Sequence, residues 1–324
     1  MGRMYERQSR RPAFDDAEDD NWDDWQPSPR RPKWNQRGVL IALAGLAVLV
    51  VVSAAILVLN QTDTTQDQQH ILQTALIKPG MLMWGGDTTL GAPGAYVDPA
   101  RPQTPAGLDA DLITALAQRL HLQAQFAPVV WAQFPRALQS RTIDLFAGDV
   151  VTTTIPKADA IFTSPYLIMS TAIVVRAGDT RFTDLKSLEG HLVGVISGDP
   201  GVTLAKSDAH VQVQNFGRIL PFDALASGRI DAVIINSSFA QWYGARDALK
   251  RFVVLPHEYD PAPVALALAP SAPHASDLRA IFSQTLSEMA QDGTLAQILQ
   301  HWGLTDPLQQ CITAPTKATG CPTP

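Results

Sequence analysis

Cysteine is almost missing from this sequence: Cys311 and Cys321 are the only two in 324 residues. Their spacing matches no familiar metal pattern and no histidine pair completes one, which sets aside a structural zinc site. In an oxidising compartment a small disulfide loop is the expectation, and it would tether the C-terminal tail more than it would stabilise a core. Charge is also scarce. Charged residues make up 17% of the chain, the formal net charge is −6, and no long basic stripe crosses the C-terminal bulk. Nucleic acid is therefore not an expected partner. No GxGxxG fingerprint occurs, and GVISGDPG at 194–201 lacks the lysine and spacing of a phosphate-binding loop. No cofactor is expected.

What is present falls into regions. Residues 1–37 carry an acidic centre between arginine-rich ends, with prolines and few aliphatics beyond Trp22, Trp25 and Trp34. Such a segment buries too little apolar surface to offset its ordering entropy and reads as a disordered cytoplasmic tail. The run 39–59 is different: it has no charge and a single serine. At 1.5 Å per residue it reaches about 30 Å, the thickness of a hydrocarbon core. Arg30, Arg31, Lys33 and Arg37 precede it, and Asp63 and Asp67 follow. By the positive-inside rule, 38–60 is expected to be an uncleaved signal-anchor in a bacterial inner membrane, single-pass, with the C-terminal domain periplasmic. A cleaved signal peptide fits less well, because the run is long for a signal core. The glutamine-rich stretch 61–77 reads as a stalk.

Beyond it, short apolar runs alternate with helical spacing, which indicates open α/β sheets. The segments ALQSRTIDLFAG and ALASGRIDAVIIN, starting at Ala137 and Ala224, echo each other. They suggest two similar α/β lobes.

Several motifs then occur in order: Gly-Leu-Asp-x-Asp-Leu at 107–112, Trp131 with Pro135 and Leu138, Ile143-Asp144, Thr153, and Phe162 to Tyr166. Val193 to Gly198, Gly228 to Ala232, and Asp292-Gly293-Thr294 with His301-Trp302-Gly303 complete the set. Over about 78–305 the chain resembles the bacterial extracellular solute-binding proteins of family 3, the polar amino acid type. The resemblance implies a type 2 periplasmic-binding fold, a two-lobed clamp. Lobe 1 would be 78–178 plus 261–305, lobe 2 would be 179–260, and 306–324 a tail. Two crossing strands would form the hinge, and ligand would favour closure by touching both lobes.

In the family a lobe 1 arginine pairs with the ligand α-carboxylate, a Ser-Gly-Thr turn adds donors, and a lobe 2 aspartate takes the α-ammonium. Here the arginine position falls on Pro156, with Lys157 next to it. The turn reads Ser197-Gly198-Asp199, and the expected aspartate is Asn236. These changes argue against an ordinary zwitterionic amino acid and leave a neutral polyol, an amide or a small cation. The expected ligand-binding residues are Tyr96, Trp131, Asp149, Thr153, Lys157, Ser197, Asp199 and Asn236. Asp199 reads more readily as a helix cap than as a ligand group, and Asp87 as a residue fixing its own loop.

The leading functional expectation is a membrane-anchored protein, held in the lipid bilayer through residues 39–59. It would capture a small polar solute for an inner-membrane ABC permease or a sensor. An envelope protein-interaction module with a degenerate cleft is one alternative. A periplasmic lyase resembling cyclohexadienyl dehydratases is the other, but no paired acid and base supports an enzyme.

Overall fold

The computed structural model describes residues 36–89, 91–98, 100–101, 104–208, 210–305, 307–315 and 321, with side chains placed from 43–53 and from 66 onward within these. The tail expected over 1–37 lies almost wholly outside the described residues.

The first element, α1 (Gln36–Ala75), runs unbroken from the apolar stretch into the glutamine-rich one. Leu72 and Ala75 at its end, and Leu76 just beyond, are buried in the core. The expected membrane span is corrected here. Among the described residues no helix is long and apolar enough to cross a membrane. This finding overturns the transmembrane helix in the expected fold, the signal-anchor, the bilayer contact through 39–59 and the single-pass inner-membrane topology.

The remainder alternates strand and helix. In chain order come β1 (Met81–Gly86), β2 (Tyr96–Val97), β3 (Pro105–Ala106), α2 (Leu108–Arg119), β4 (Gln123–Pro128), α3 (Phe134–Gln139), β5 (Leu145–Phe146), β6 (Ile161–Phe162) and β7 (Leu167–Arg176). After them come β8 (Leu192–Val195), α4 (Gly201–Ser207), β9 (Gln212–Asn215), α5 (Phe222–Ala226), β10 (Ala232–Asn236) and α6 (Ser237–Arg246). The chain closes with β11 (Phe252–Val254), β12 (Tyr259–Val264), β13 (Ala267–Leu268), α7 (Ala275–Gln291), α8 (Thr294–His301) and α9 (Gln310–Thr313).

Two sheets organise these elements. The first has strand order β4-β1-β5-β13-β6, and the second β11-β7-β10-β8-β9, with β12 also paired to β7. Each sheet is covered on both faces, so its central strands read as unbroken apolar runs. In β10, Val233 and Ile235 pack on one side, Ala232 and Ile234 on the other.

The internal echo is a structural repeat. Each copy is a short helix, a left-handed turn and a strand. Arg141 and Gly228 hold equivalent positive-φ positions. The N–H of the next residue reaches back five positions, Thr142 to Ala137 and Arg229 to Ala224, as in helix ends closed by a left-handed residue. Asp144 and Asp231 follow. Each donates its backbone N–H to the neighbouring parallel strand, at Met83 and Leu192, and each accepts that residue's N–H on its carboxylate.

Two antiparallel strands, β7 and β12, cross between the lobes. Leu167, Met169 and Val264 are buried in the core beneath the first sheet, whereas Ala172 to Val175 enter the cores of the second. The β7–β12 register slips between Tyr259 and Ala262.

Candidate functional site

The cleft lies where loops at the strand ends of both sheets meet. Asp109 sits in the first turn of α2, where the helix buries its face, and it is 3% exposed. Its carboxylate accepts from the Ala95 N–H at 3.1 Å and from the Tyr166 hydroxyl at 3.3 Å. Asp149 follows β5 in the left-handed conformation, φ 51°. It is half-buried, and its carboxylate has no hydrogen-bond partner among the described residues. Asp199 lies in the turn between β8 and α4 and is 8% exposed.

Burial raises all three carboxyls. Asp109 is pushed up to about 6 against the opposing hydrogen bonds from Tyr166 and Ala95. Asp149 is pushed to about 7 by burial and then by the charges of Asp109 and Asp199. Asp199 is pushed to about 6 by burial, opposed by bonds from Gly201 and Asn236 and by the charge of Arg218. Asp149 thus feels the charges of Asp109 beneath the first sheet and of Asp199 after β8 of the second.

The two altered positions of lobe 2 bind each other. Asp199 accepts from the Gly201 N–H at 2.8 Å, the Asn236 N–H at 3.2 Å and the Asn236 amide at 2.9 Å. The Asn236 amide oxygen in turn accepts from the Phe239 N–H at 3.2 Å and caps α6. A carboxylate expected at the end of β10 has moved to the turn after β8, and the asparagine left behind ties the two together. Asp199 therefore acts as a turn lock as well as an acid of the cleft wall.

The other expected residues are spread out. Tyr96 packs edge-on against Trp302, ring centres 6.3 Å apart, at the margin of the lobe 1 core. Trp131 packs edge-on against Phe134 at 5.6 Å, and its backbone N–H donates to the Asp87 carboxylate at 2.9 Å. The Ser197 hydroxyl bonds the Asn215 amide oxygen at 3.0 Å. Thr153 and Lys157 are exposed on the turns after Asp149, and Lys157 forms no ion pair among the described residues. Cys311 and Cys321 form a disulfide.

Sequence reasoning missed two residues. Asp109 had a signal: an acid in the apolar register of an amphipathic helix. Arg218 had none, because it stands in an irregular loop after β9. It reaches across the cleft mouth to Asp87 at 3.1 Å and Thr89 at 2.7 Å. Burial pushes Asp87 up, but bonds from Thr89 and Trp131 and the Arg218 charge outweigh it and hold the carboxyl low. Asp87 also fixes its own loop through the Thr89 N–H at 2.8 Å.

Arg218 joins the lobes without any ligand. Its side chain is 42% exposed, so the ion pair contributes about 1 kcal/mol or less. Replacing it with methionine is expected to raise the open population up to about fivefold. X-ray scattering would show a larger radius of gyration in the ligand-free variant. An unchanged radius would mean that the pair does not bias closure.

On the outer surface, Glu189, Asp208 and His210 bring one ligand atom each within 4.8 Å of one another. Asp208 already accepts the backbone N–H of His210, and the group faces solvent.

Comparison with known proteins agrees with this architecture. The family described as bacterial extracellular solute-binding proteins, family 3, matches residues 85–305, more than half of the chain. The arginine-binding extracellular protein ArtP of Bacillus subtilis is 27% identical over 202 residues, 60% of this chain and 77% of that protein. An ancestral arginine-binding protein, solved bound to arginine, is 29% identical with a TM-score of 0.56, covering 69% of this chain and 98% of that one. An ancestral cationic amino acid solute-binding protein shares the fold, with a TM-score of 0.60 at 23% identity, over 73% of this chain and 99% of that one.

Proposed function

Because this chain belongs to the bacterial extracellular solute-binding proteins, family 3, we propose that it captures a small polar solute with a cationic group and hands it to an ABC-type permease or a sensor. The family and its relatives are binding proteins rather than catalysts, so a dehydratase-like role is set aside. In this reading the lobes are those expected, 78–178 with 261–305 and 179–260, except that β7 from Thr171 pairs with the second sheet, and ligand sits between them.

The observation that carries the reading is the set Asp109, Asp149 and Asp199: burial raises all three, and the charges of Asp109 and Asp199 raise Asp149 further. A ligand cation relieves that repulsion; a ligand carboxylate adds to it. Asp149 is the principal contact, because its carboxylate has acceptor capacity to spare. Asp199 supplies charge while locking its turn. Tyr96, Trp131, Thr153, Ser197 and Asn236 shape the surroundings, and Lys157 stands at the rim. Two relatives named for arginine support a cationic ligand. The missing arginine at Pro156 argues that an α-carboxylate contributes little to its binding.

A thermal-shift screen at pH 8 tests this. Arginine, a linear diamine, a guanidinium compound and a quaternary amine are compared with glutamate, glutamine and a sugar. At least one cation is expected to raise the melting temperature, by roughly 2–4 °C for each kcal/mol of linked binding energy. Glutamate is expected to give no shift. Tight binding of glutamate would overturn the cationic reading, and no response to any solute in a folded sample would overturn solute capture.

A further inference from the structure

The C-terminal segment grips the crossing strand. Gln309 is only 5% exposed. Its amide oxygen accepts the Ile168 N–H at 3.1 Å, and its amide nitrogen donates to the Ile168 carbonyl at 2.7 Å. Both backbone groups of one β7 residue are therefore satisfied by one side chain, in the place a neighbouring strand would fill. Opposite Ile168 on β12 stands Pro263, which has no N–H to offer.

Ile168 is where β7 passes between lobes. Leu167 and Met169 on either side of it are buried in the lobe 1 core, and from Thr171 the strand pairs with β10 of the second sheet. Along the same strand, Ser170 N–H donates to Ser237 Oγ at 3.2 Å, and Ser170 Oγ donates to Glu258 at 2.5 Å. The backbone between 168 and 171 must change when the lobes rotate. A bidentate grip there constrains that change.

The segment carrying Gln309 is short. It is a single turn, Pro307–Gln309, followed by α9. Four helical residues are not stable alone. They are held by Ile312 packed at the margin of the lobe 1 core, by the Thr313 hydroxyl donating to the Gln309 carbonyl at 3.0 Å, and by the Cys311–Cys321 disulfide.

We propose that Gln309 is a hinge-positioning residue, that the turn and α9 carrying it are kept seated on Ile168 by Ile312 and by the disulfide at Cys311, and that this seating sets the lobe equilibrium. The proposal rests on the clamp reading of the fold, but not on any ligand.

It is tested on the full chain without solute, by hydrogen exchange read at the Ile168 amide together with X-ray scattering. Gln309→Leu is expected to speed exchange at Ile168 about tenfold or more, from the loss of a buried amide bond pair, and to change the radius of gyration. Central amides of β1 and β10 should exchange as before. Gln309→Glu, which keeps the acceptor for the Ile168 N–H, should fall between. The double variant Cys311→Ser with Cys321→Ser, and the reduced wild type, should move exchange in the same direction. If Gln309→Leu fails to fold, the cysteine variant and reduction carry the test. Unchanged exchange at Ile168 in all of these overturns the proposal. So does a uniform rise across both sheets, which would mark a merely structural tail. Failure of every solute to bind would leave these results standing, so the two readings fail separately.

Discussion

Asp149→Asn is expected to make the ligand-free protein more stable at pH 8 and to remove cation binding. The sign follows from the direction of the shifts. Asp149 is raised to about 7, and Asp109 and Asp199 to about 6. The folded chain thus holds protons more tightly than the unfolded chain, whose carboxyls titrate near about 4. Stability that is full below about pH 4 is lost as the pH rises toward 7, and stays low above it. Asparagine removes the most strongly raised group of the set. Its effect near pH 4 should be small, because the wild-type carboxyl is already protonated there. At pH 8 the gain should be of the order of 2 kcal/mol, or several degrees in melting temperature. Binding of a cation should weaken by roughly 30-fold or more, the usual loss when one partner of a desolvated charge pair is removed. Melting curves at pH 4, 6 and 8, with and without the cation, read both effects. A variant less stable than wild type at pH 8, with unchanged binding, would show that Asp149 is a structural acid. The gain in stability with loss of function is the trade-off expected of a site that stores repulsion.

Gly107→Ala is expected to be the most damaging small substitution near the cleft. Gly107 has φ 116°, and a Cβ there would lie 1.9 Å from the Gly94 carbonyl oxygen. That contact is with backbone, so no side chain can swing aside. Gly107 precedes α2, whose N-terminal Leu108 donates to the Pro93 carbonyl at 2.8 Å. Relieving the clash would pull the 93–95 loop off Asp109 and loosen the Ala95 bond to its carboxylate. A loss of about 3 kcal/mol or more is expected from strain and broken bonds together. This should lower the melting temperature by about 6 °C or more. The same variant should bind cations weakly. A melting temperature within 2 °C of wild type would mean that the loop relaxes freely, roughly a sub-kcal/mol effect.

The contrast between these residues shows what could be read in advance. Gly107 and Asp109 both stand in the Gly-Leu-Asp-x-Asp-Leu motif, so their segment was legible, but the burial of Asp109 was not. Asp199 and Asn236 were visible as departures from a pattern. That they bond to each other depends on bringing residues 37 apart to the ends of neighbouring strands. Lys157 was legible as a cation beside the lost arginine position, yet the turn that carries it faces solvent. Arg218 and Gln309 lie in irregular segments without periodicity, and their partners, Asp87 and Ile168, are 131 and 141 residues away.

The sequence alone determined the architecture. Short apolar runs, helical apolar spacing and the echo between the segments starting at Ala137 and Ala224 are local features, written in consecutive residues. It also showed that the position where the resemblance expects a carboxylate-reading arginine holds Pro156, since that is a residue identity. The tertiary structure decided the rest. The apolar run 39–59 did not yield a membrane span among the described residues. The electrostatics of the cleft came from acids contributed by both lobes. Raised carboxyls, a bridging arginine and a gripped hinge strand all depend on distances between segments far apart in the chain, and desolvation is a property of the packed whole rather than of any stretch of it.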